Sequence, residues 1–408
     1  MISETDVIIV GGGAAGFFTA INLAENNPSL RIVILERSSE VLKKVRISGG
    51  GRCNVTHAEF IPKELTQNYP RGKKELLGPF HTFMTGDTIE WFESRGVPLK
   101  IEEDGRMFPG SNSSQTIIDC FIGEADKLGV DVIRNQAVKE IQKGIESWEV
   151  STESETYNTK KLVIATGSNT KIWELLKKLN HTIISPVPSL FTFNIKDDRI
   201  LNLPGVATPA HVKVISDNKS IKLASEGPLL ITHRGLSGPA ILKLSAWGAN
   251  ELFEENYQFK IMINWLLDKS AEDAFEQLKY LREENKKQAL TTYAKLDLPK
   301  RLWQTLVNAS GISASQKWAD TTNKQLQELS NQLTQAIFQV KGKSTFKEEF
   351  VTAGGIDLKE VDFKRYESKL HKDLFFAGEV LNIDAITGGF NFQNAWTGGY
   401  IVAKSIAE

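Results

Sequence analysis

Three glycines at the spacing G-x-G-x-x-G, Gly11, Gly13 and Gly16, follow the apolar run DVIIV (6–10) of this 408-residue sequence. Each suits a separate task. Gly11 can make a tight turn, Gly13 leaves room for backbone N–H groups to reach a pyrophosphate, and Gly16 lets a helix lie close on a strand. Apolar residues then recur at Phe17, Ala20, Ile21 and Ala24 with helical period. The turn therefore opens a helix whose positive dipole end faces the phosphates. A second apolar run, RIVILE (31–36), ends at Glu36. A carboxylate there can accept ribose hydroxyls and would repel a 2′-phosphate. Strand, glycine turn, helix and acid together predict a bound dinucleotide, but FAD and NAD share this unit.

Three further stretches point to FAD. The first, KKVRISGGGRCNVTH (43–57), carries three consecutive glycines with Arg52, Cys53 and Asn54 behind them. It predicts a loop whose bare backbone, including Gly50 and Gly51 next to Ser48, approaches a planar ligand, with Lys44 and Arg52 balancing phosphate charge. In the second, AVKEIQK and SWEVSTES predict two alternating strands, followed by KKLVIATGS and its Ala165, Thr166 and Gly167. This ending is similar to the ATG signature of two-dinucleotide-fold flavoproteins, in which backbone near Val138 would meet the adenine. The third is LFFAGEVLNIDAITGGFNFQNAW (374–396). A buried strand leads to Gly378 and Glu379, the acid such flavoproteins use on the ribityl chain. Gly388 and Gly389 then precede a helix starting near Asn391, whose N-terminus would stabilise negative charge on a reduced flavin. An NAD domain has no need of this return of the chain.

Flavin chemistry resides in the ring, and the protein supplies position and electrostatics, so no triad is required. Cys53 and Cys120 are the two cysteines and are remote in sequence, unlike the paired thiols of flavin disulfide reductases. Cys53 reads better as a small packing residue than as a redox thiol. His57 could donate a proton, and Arg106 could fix an anionic substrate, although an ion pair that orders its loop serves equally well. The six histidines show no metal-ligand spacing. No second G-x-G-x-x-G occurs, so NAD(P)H is expected as a transient visitor. The expected reaction is hydride transfer between flavin N5 and a carbon of a small organic molecule, most simply an NAD(P)H-linked reduction. Oxidation of an amine or alcohol by O2 is an alternative, and a flavin-bearing RNA-modifying or RNA-binding factor is another.

These residues must be positioned by an α/β framework. A length of 408, with 41% apolar and 24% charged residues, suits a globular protein of two or three domains. A net charge of −1 draws it to neither nucleic acid nor anionic lipid. The start, MISETD, does not read as a signal peptide, and no apolar run nears the roughly 18 residues of a membrane span. Two cysteines form no disulfide framework, which favours a cytoplasmic setting. Between the FAD stretches, PVPSL (186–190) marks an exit. AHVKVIS, a DNKS turn and IKLAS read as a hairpin, and YQFKIMINWLL as a strand. GLSGPAILKLSAWGA reads as a helix with Ser237 as N-cap, and a polar helical region, clearest in AEDAFEQLKYLREENKKQAL, follows from about 270.

SGGGRCN, Gly105-Arg106-Met107-Phe108-Pro109, TAGGI (352–356), YESK (366–369) and the GGFNFQNAW region resemble, together and over nearly the whole chain, one family. It is the HI0933-like (BaiN/YhiN-like) group of bacterial NAD(P)/FAD-dependent flavoprotein oxidoreductases, which includes aminoacetone-oxidase-type members. The resemblance implies a glutathione-reductase-type Rossmann domain built from both chain ends, with a β-rich and a small helical insert. The corresponding divisions are residues 1–188, 189–268, 269–342 and 343–408. It implies tightly bound, non-covalent FAD lined by Gly11, Gly13, Ala15, Gly16, Glu36, Lys44, Gly51, Val138, Gly378, Glu379, Gly389 and Asn391. Their neighbours Ala14, Arg37, Ser48, Gly50, Arg52, Cys53, Asn54, Ala165, Thr166, Gly167, Asp384, Gly388 and Phe390 are expected in the same site. Ser168 stands where a second glycine is common, and FQNAW departs from the more usual LQWA.

Overall fold

The protein is described by a computed structural model over residues 2–216, 221–344 and 351–408. The DNKS turn expected at 217–220 lies outside the described residues. Strand β1 (Ile2–Val10) leads through the glycine turn into helix α1 (Ala14–Asn26) and back to β2 (Ile32–Leu35). Helix α2 (Lys43–Gly51) follows, then β3 (Asp131–Ile133), β4 (Thr156–Ile164), β5 (Leu374–Phe376) and the long α3 (Phe390–Ala407). The five strands form a parallel array in the order β5-β4-β1-β2-β3. Val7, Ile8 and Ile9 are wholly buried, as expected of a strand covered on both faces. The expected pair of alternating strands appears at Glu140–Lys143 and Trp148–Ser151, the second pairing with the first half of β4. The second half of β4 pairs instead with β5, which brings the end of the chain beside its beginning.

The chain divides into two units, residues 1–187 with 347–408 and residues 188–346. In the first, α1 and α3 touch closely because Gly399 lies against α1. A Cβ there would come 3.0 Å from Thr19 Oγ1 and 3.1 Å from Ala15 O. Strands Ile183–Ser189 and Val351–Ile356 pair with each other where the chain leaves and re-enters this unit. Their roots are pinned by His181. Its Nδ1–H donates to Glu360 (2.9 Å), its Nε2 accepts from Ser368 Oγ (3.1 Å), and Glu360 also accepts from Thr182 N–H (3.0 Å). Burial holds the imidazole below its usual pKa.

Residues 188–346 form a seven-stranded antiparallel sheet with helices on it. Sequence divides this region into a β-rich and a helical part, but the two share a sheet. The strand Ala336–Lys341, at the end of the helical part, pairs with Gln258–Asn264. Ser237 also differs from expectation, because Gly235–Ser237 is a strand and the helix starts at Pro239 with Gly238 as its N-cap. Gly238 (φ +90) can make that sharp change of direction, which serine cannot do without strain. The helix Ala271–Glu284 opens with a Ser270/Asp273 capping box.

Candidate active site

The glycine turn stands at the carboxyl ends of β1, β2 and β4, where open α/β sheets bind ligands. Gly11 (φ +113) and Gly16 are fixed by backbone. A Cβ at the first would lie 2.5 Å from Ala165 O and at the second 2.0 Å from Gly11 O. Gly13 differs, since a Cβ there would meet no atom within 4 Å. It precedes Ala14 as N-cap of α1, whose first turn has neither a side-chain cap nor an acid, so the free N–H groups and the dipole face that opening. Glu36 closes β2 and is already oriented. Oε2 accepts Gly12 N–H (2.9 Å) and Oε1 accepts the N–H and hydroxyl of Ser38 (2.9 and 2.7 Å). The neighbouring Arg37 is exposed, while Val138 is buried.

A second group forms around Glu379. Lys44 Nζ donates to Glu379 Oε2 at 2.5 Å, and a Cβ on Gly167 (φ +61) would lie 3.6 Å from the same oxygen. Gly378 packs on the start of α1, its Cβ position 3.1 Å from that of Ala15. Thr166 Oγ1, beside buried Ala165, is buried without a hydrogen-bond partner. The stretch expected as a loop begins as α2 and leaves helical geometry at Ser48. Gly49, Gly50 and Gly51 then take φ of +58, +68 and +84, and Cys53 takes +60. Like Gly13, Gly50 and Gly51 open onto free space, with no atom within 4 Å of a Cβ. Open backbone at three glycines, an uncapped helix, two carboxylates and an orphaned hydroxyl fit an adenine dinucleotide.

Residues 53–57 are laced onto the first turns of α3. The Asn54 amide, with O and N assigned from its partners, accepts Gly389 N–H (3.0 Å) and donates to Thr56 O (3.0 Å) and Met107 O (3.2 Å). Thr56 Oγ–H donates to Gln393 Oε1 (2.6 Å), Trp396 Nε1–H to Val55 O (2.9 Å), and His57 Nδ1–H to Gly388 O (3.1 Å). A Cβ at Gly389 (φ +94) would sit 2.5 Å from Thr56 O, so contact with the lacing strand requires glycine there. Asn391 exchanges hydrogen bonds with Ala385 N–H (3.0 Å) and O (3.2 Å), which closes the preceding turn. α3 starts at buried Phe390 and, like α1, has no side-chain cap and no acid in its first turn.

The predicted site residues do not all turn their side chains to this cleft. Asp384 is buried and held at both oxygens by Arg71. Cys53 is also wholly buried, and burial pushes its thiol up to about 12. Cys120 is pushed up to about 11, and both cysteines are free thiols. Neither offers a thiolate near neutral pH. Arg106 pairs with Asp104 (2.7 Å) and Glu102 (3.3 Å) on its own hairpin. His57 stacks on Phe390, ring centroids 4.5 Å apart, with Nε2 2.6 Å from a Cβ position on Gly105. Sequence reading missed Glu102 and the role of Phe108. Glu102 Oε1 accepts from Arg52 (2.6 Å), and the Arg52 guanidinium lies 3.9 Å above the Phe108 ring. The acidic run EED before GRMFP was the available signal. Among the described residues no three His, Cys, Asp or Glu side chains converge as a metal site, and no helix is long and apolar enough to cross a membrane.

The family model for the HI0933-like protein Rossmann domain matches residues 5–405. The chain belongs to this family. This HI0933-like protein is 28% identical over 424 residues to a ribosomal RNA dihydrouridine synthase of Haemophilus influenzae, with all of both chains covered. It is 24% identical to a 3-dehydro-bile acid delta(4,6)-reductase of Clostridium scindens, over 98% of each chain. A second ribosomal RNA dihydrouridine synthase, from Escherichia coli, is 27% identical over 98% of each. In fold it matches a 3-ketosteroid-delta4-(5alpha)-dehydrogenase of Rhodococcus jostii (TM-score 0.51, 13% identity, 100% and 97% covered). It also matches a flavocytochrome c3 fumarate reductase (TM-score 0.50, 16% identity, 99% and 78% covered). This HI0933-like protein is thus an FAD-dependent oxidoreductase with a glutathione-reductase-type α/β fold.

Proposed function

We propose that the enzyme reduces a carbon–carbon double bond conjugated to a carbonyl group, with electrons from NAD(P)H, in the cytoplasm. The observation that carries this reading is the fixed imidazole of His57. Gly388 O can only accept, so Nδ1 carries a proton and Nε2 is the nitrogen left to give or take one. That holds a proton-exchanging group beside the uncapped end of α3. Reduction of a conjugated bond needs a proton delivered to the carbon next to the carbonyl, a task such a group can perform. FAD, once reduced by the nicotinamide, would supply the hydride. Gly11, Gly13, Gly16, Glu36, Lys44, Gly50, Gly51, Thr166, Gly378, Glu379 and Gly389 would hold it. Buried Cys53 packs, and Arg106 orders its hairpin.

The names of the relatives support the same bond type. A dihydrouridine synthase saturates a uracil double bond conjugated to a carbonyl, and a delta(4,6)-reductase of a 3-dehydro-bile acid acts on double bonds conjugated to a 3-oxo group. The substrate on this reading is a small enone. A second reading, uracil within ribosomal RNA, is favoured by the names of two of the relatives. The test is incubation of the holoprotein with NADPH and, separately, a steroid 4-en-3-one, a 2-cyclohexenone and unmodified ribosomal RNA. The reading expects one substrate to gain two hydrogens by mass. Anaerobic bleaching of the flavin by an amine or alcohol, with no such gain, would overturn it.

A further inference from the structure

We propose that Arg52 binds the carbonyl oxygen of the substrate, and that Glu102 and Phe108 position it. This rests on conjugate reduction as the reaction. When hydride adds to the β-carbon, the π electron pair moves onto the α-carbon and the carbonyl oxygen, and the oxygen then carries negative charge until the α-carbon takes a proton. The two electrons come from reduced flavin, resupplied by a nicotinamide. Donors already fixed where that charge develops are the usual largest contribution to such a rate.

Arg52 meets the description. Phe108 supports one face of its guanidinium at 3.9 Å, and Nη1 is held by Glu102 at 2.6 Å. Nε and Nη2 make no hydrogen bond to any described residue, and a third of the side chain (33%) is exposed, so one edge of the fork is free. Glu102 is itself anchored by Arg106 at 3.3 Å. Lys44 and Arg106 are engaged, the first by Glu379 and the second by Asp104 and Glu102. The backbone beside Arg52 is constrained as well. Cys53, the next residue, holds φ +60 without being glycine, and a Cβ on Gly49 would press to 3.0 Å on Phe108. Arg52 and His57 meet the same hairpin. Glu102 holds Arg52, and Gly105 O accepts Ala58 N–H at 2.8 Å beside His57 Nε2. One hairpin therefore carries an oxyanion donor and sets the place of a proton donor.

The test uses holoprotein and a phenolate, whose oxygen stands in for the enolate and whose stacking on oxidised flavin gives a long-wavelength charge-transfer band. Wild type is expected to show the band. Arg52→Met is expected to keep visible flavin absorbance yet bind the phenolate at least about tenfold more weakly, with Arg52→Lys between them. Glu102→Gln, which keeps shape but loosens the fork, is expected to weaken binding about threefold and to raise the phenol's apparent pKa in the complex. An Arg52→Met protein that has lost its flavin would make Arg52 a cofactor ligand and overturn the proposal. So would one that binds the phenolate as wild type does. If wild type reduces an enone and Arg52→Met matches its kcat, the Arg52 assignment alone fails. If wild type reduces no conjugated substrate, the reaction fails first and takes this assignment with it.

Discussion

A methyl group at Gly13, in the unit of residues 1–187 and 347–408, would meet nothing within 4 Å, but at Gly235, in residues 188–346, it would lie 2.2 Å from Phe193 O. The buried polar groups differ in the same way. Among the described residues of the insert they are all serine or threonine hydroxyls, and several, such as Ser245 and Ser310, bond carbonyls of their own turn. The first unit buries Asn54, His181, Asp384 and Gln393, groups whose partners lie far along the chain. One unit leaves backbone open and fixes amides and charges across the chain. The other closes its backbone against itself. Cofactor chemistry belongs to the first pattern.

Substitutions can break or sharpen that contrast, and the largest effect should come from Gly13→Val. With φ near −98 the backbone accepts valine, so the apo protein should keep its thermal midpoint while FAD affinity falls by a hundredfold or more, on the order of 3 kcal/mol. Flavin fluorescence titration and calorimetry read the two quantities. Loss of folding together with FAD would remove the idea that the opening exists for a ligand. Leu329→Ala, in the wholly buried core of the insert, should cost about 2–5 kcal/mol in urea unfolding while flavin per folded molecule is unchanged. Gly235→Ala should behave the same way at about 1–3 kcal/mol, with Tm lowered and FAD binding intact.

Much of the first unit was legible in the sequence, because backbone chemistry selects residue types directly. The turn at Gly11–Gly16, Glu36, the ATG stretch and the Gly388–Gly389 start of α3 are types that few other arrangements would require. Asp384 was not legible, because its partner Arg71 lies 313 positions earlier. Glu102 was missed for the same reason, since its link to Arg52 is made by folding. In the insert, the alternation of AHVKVIS gave the strand, but the pairing of Ala336–Lys341 with Gln258–Asn264 crosses three intervening α-helices and leaves no local trace. Ser237 misled because the Ser-Gly-Pro order suits a capped helix start, and only the sheet partner at Leu230 makes that serine a strand residue.

Two smaller effects concern titration. Cys53 should resist iodoacetamide in the native protein at pH 8 and react only on unfolding, as mass spectrometry of the labelled peptide would show; rapid native labelling would contradict its burial. His181 has a depressed pKa in the fold, so the unfolded chain binds the extra proton first as pH falls. Stability should be full above about pH 6.5 and decline below it, and His181→Gln should flatten that slope. An identical acid slope in the variant would assign the loss elsewhere, Glu360 being the nearest acid whose pKa is also lowered.

The pairing of β4 with both β1 and β5 has a consequence for biosynthesis. Leu374–Phe376, Glu379 and α3 leave the ribosome after the insert, whose residues can collapse on their own sheet while the first half of the Rossmann unit still lacks its neighbour. On the proposed site, the flavin pocket is therefore completed only after the insert has been made. A yellow colour would report that translation had passed α3, and a chain terminated before it would emerge without one.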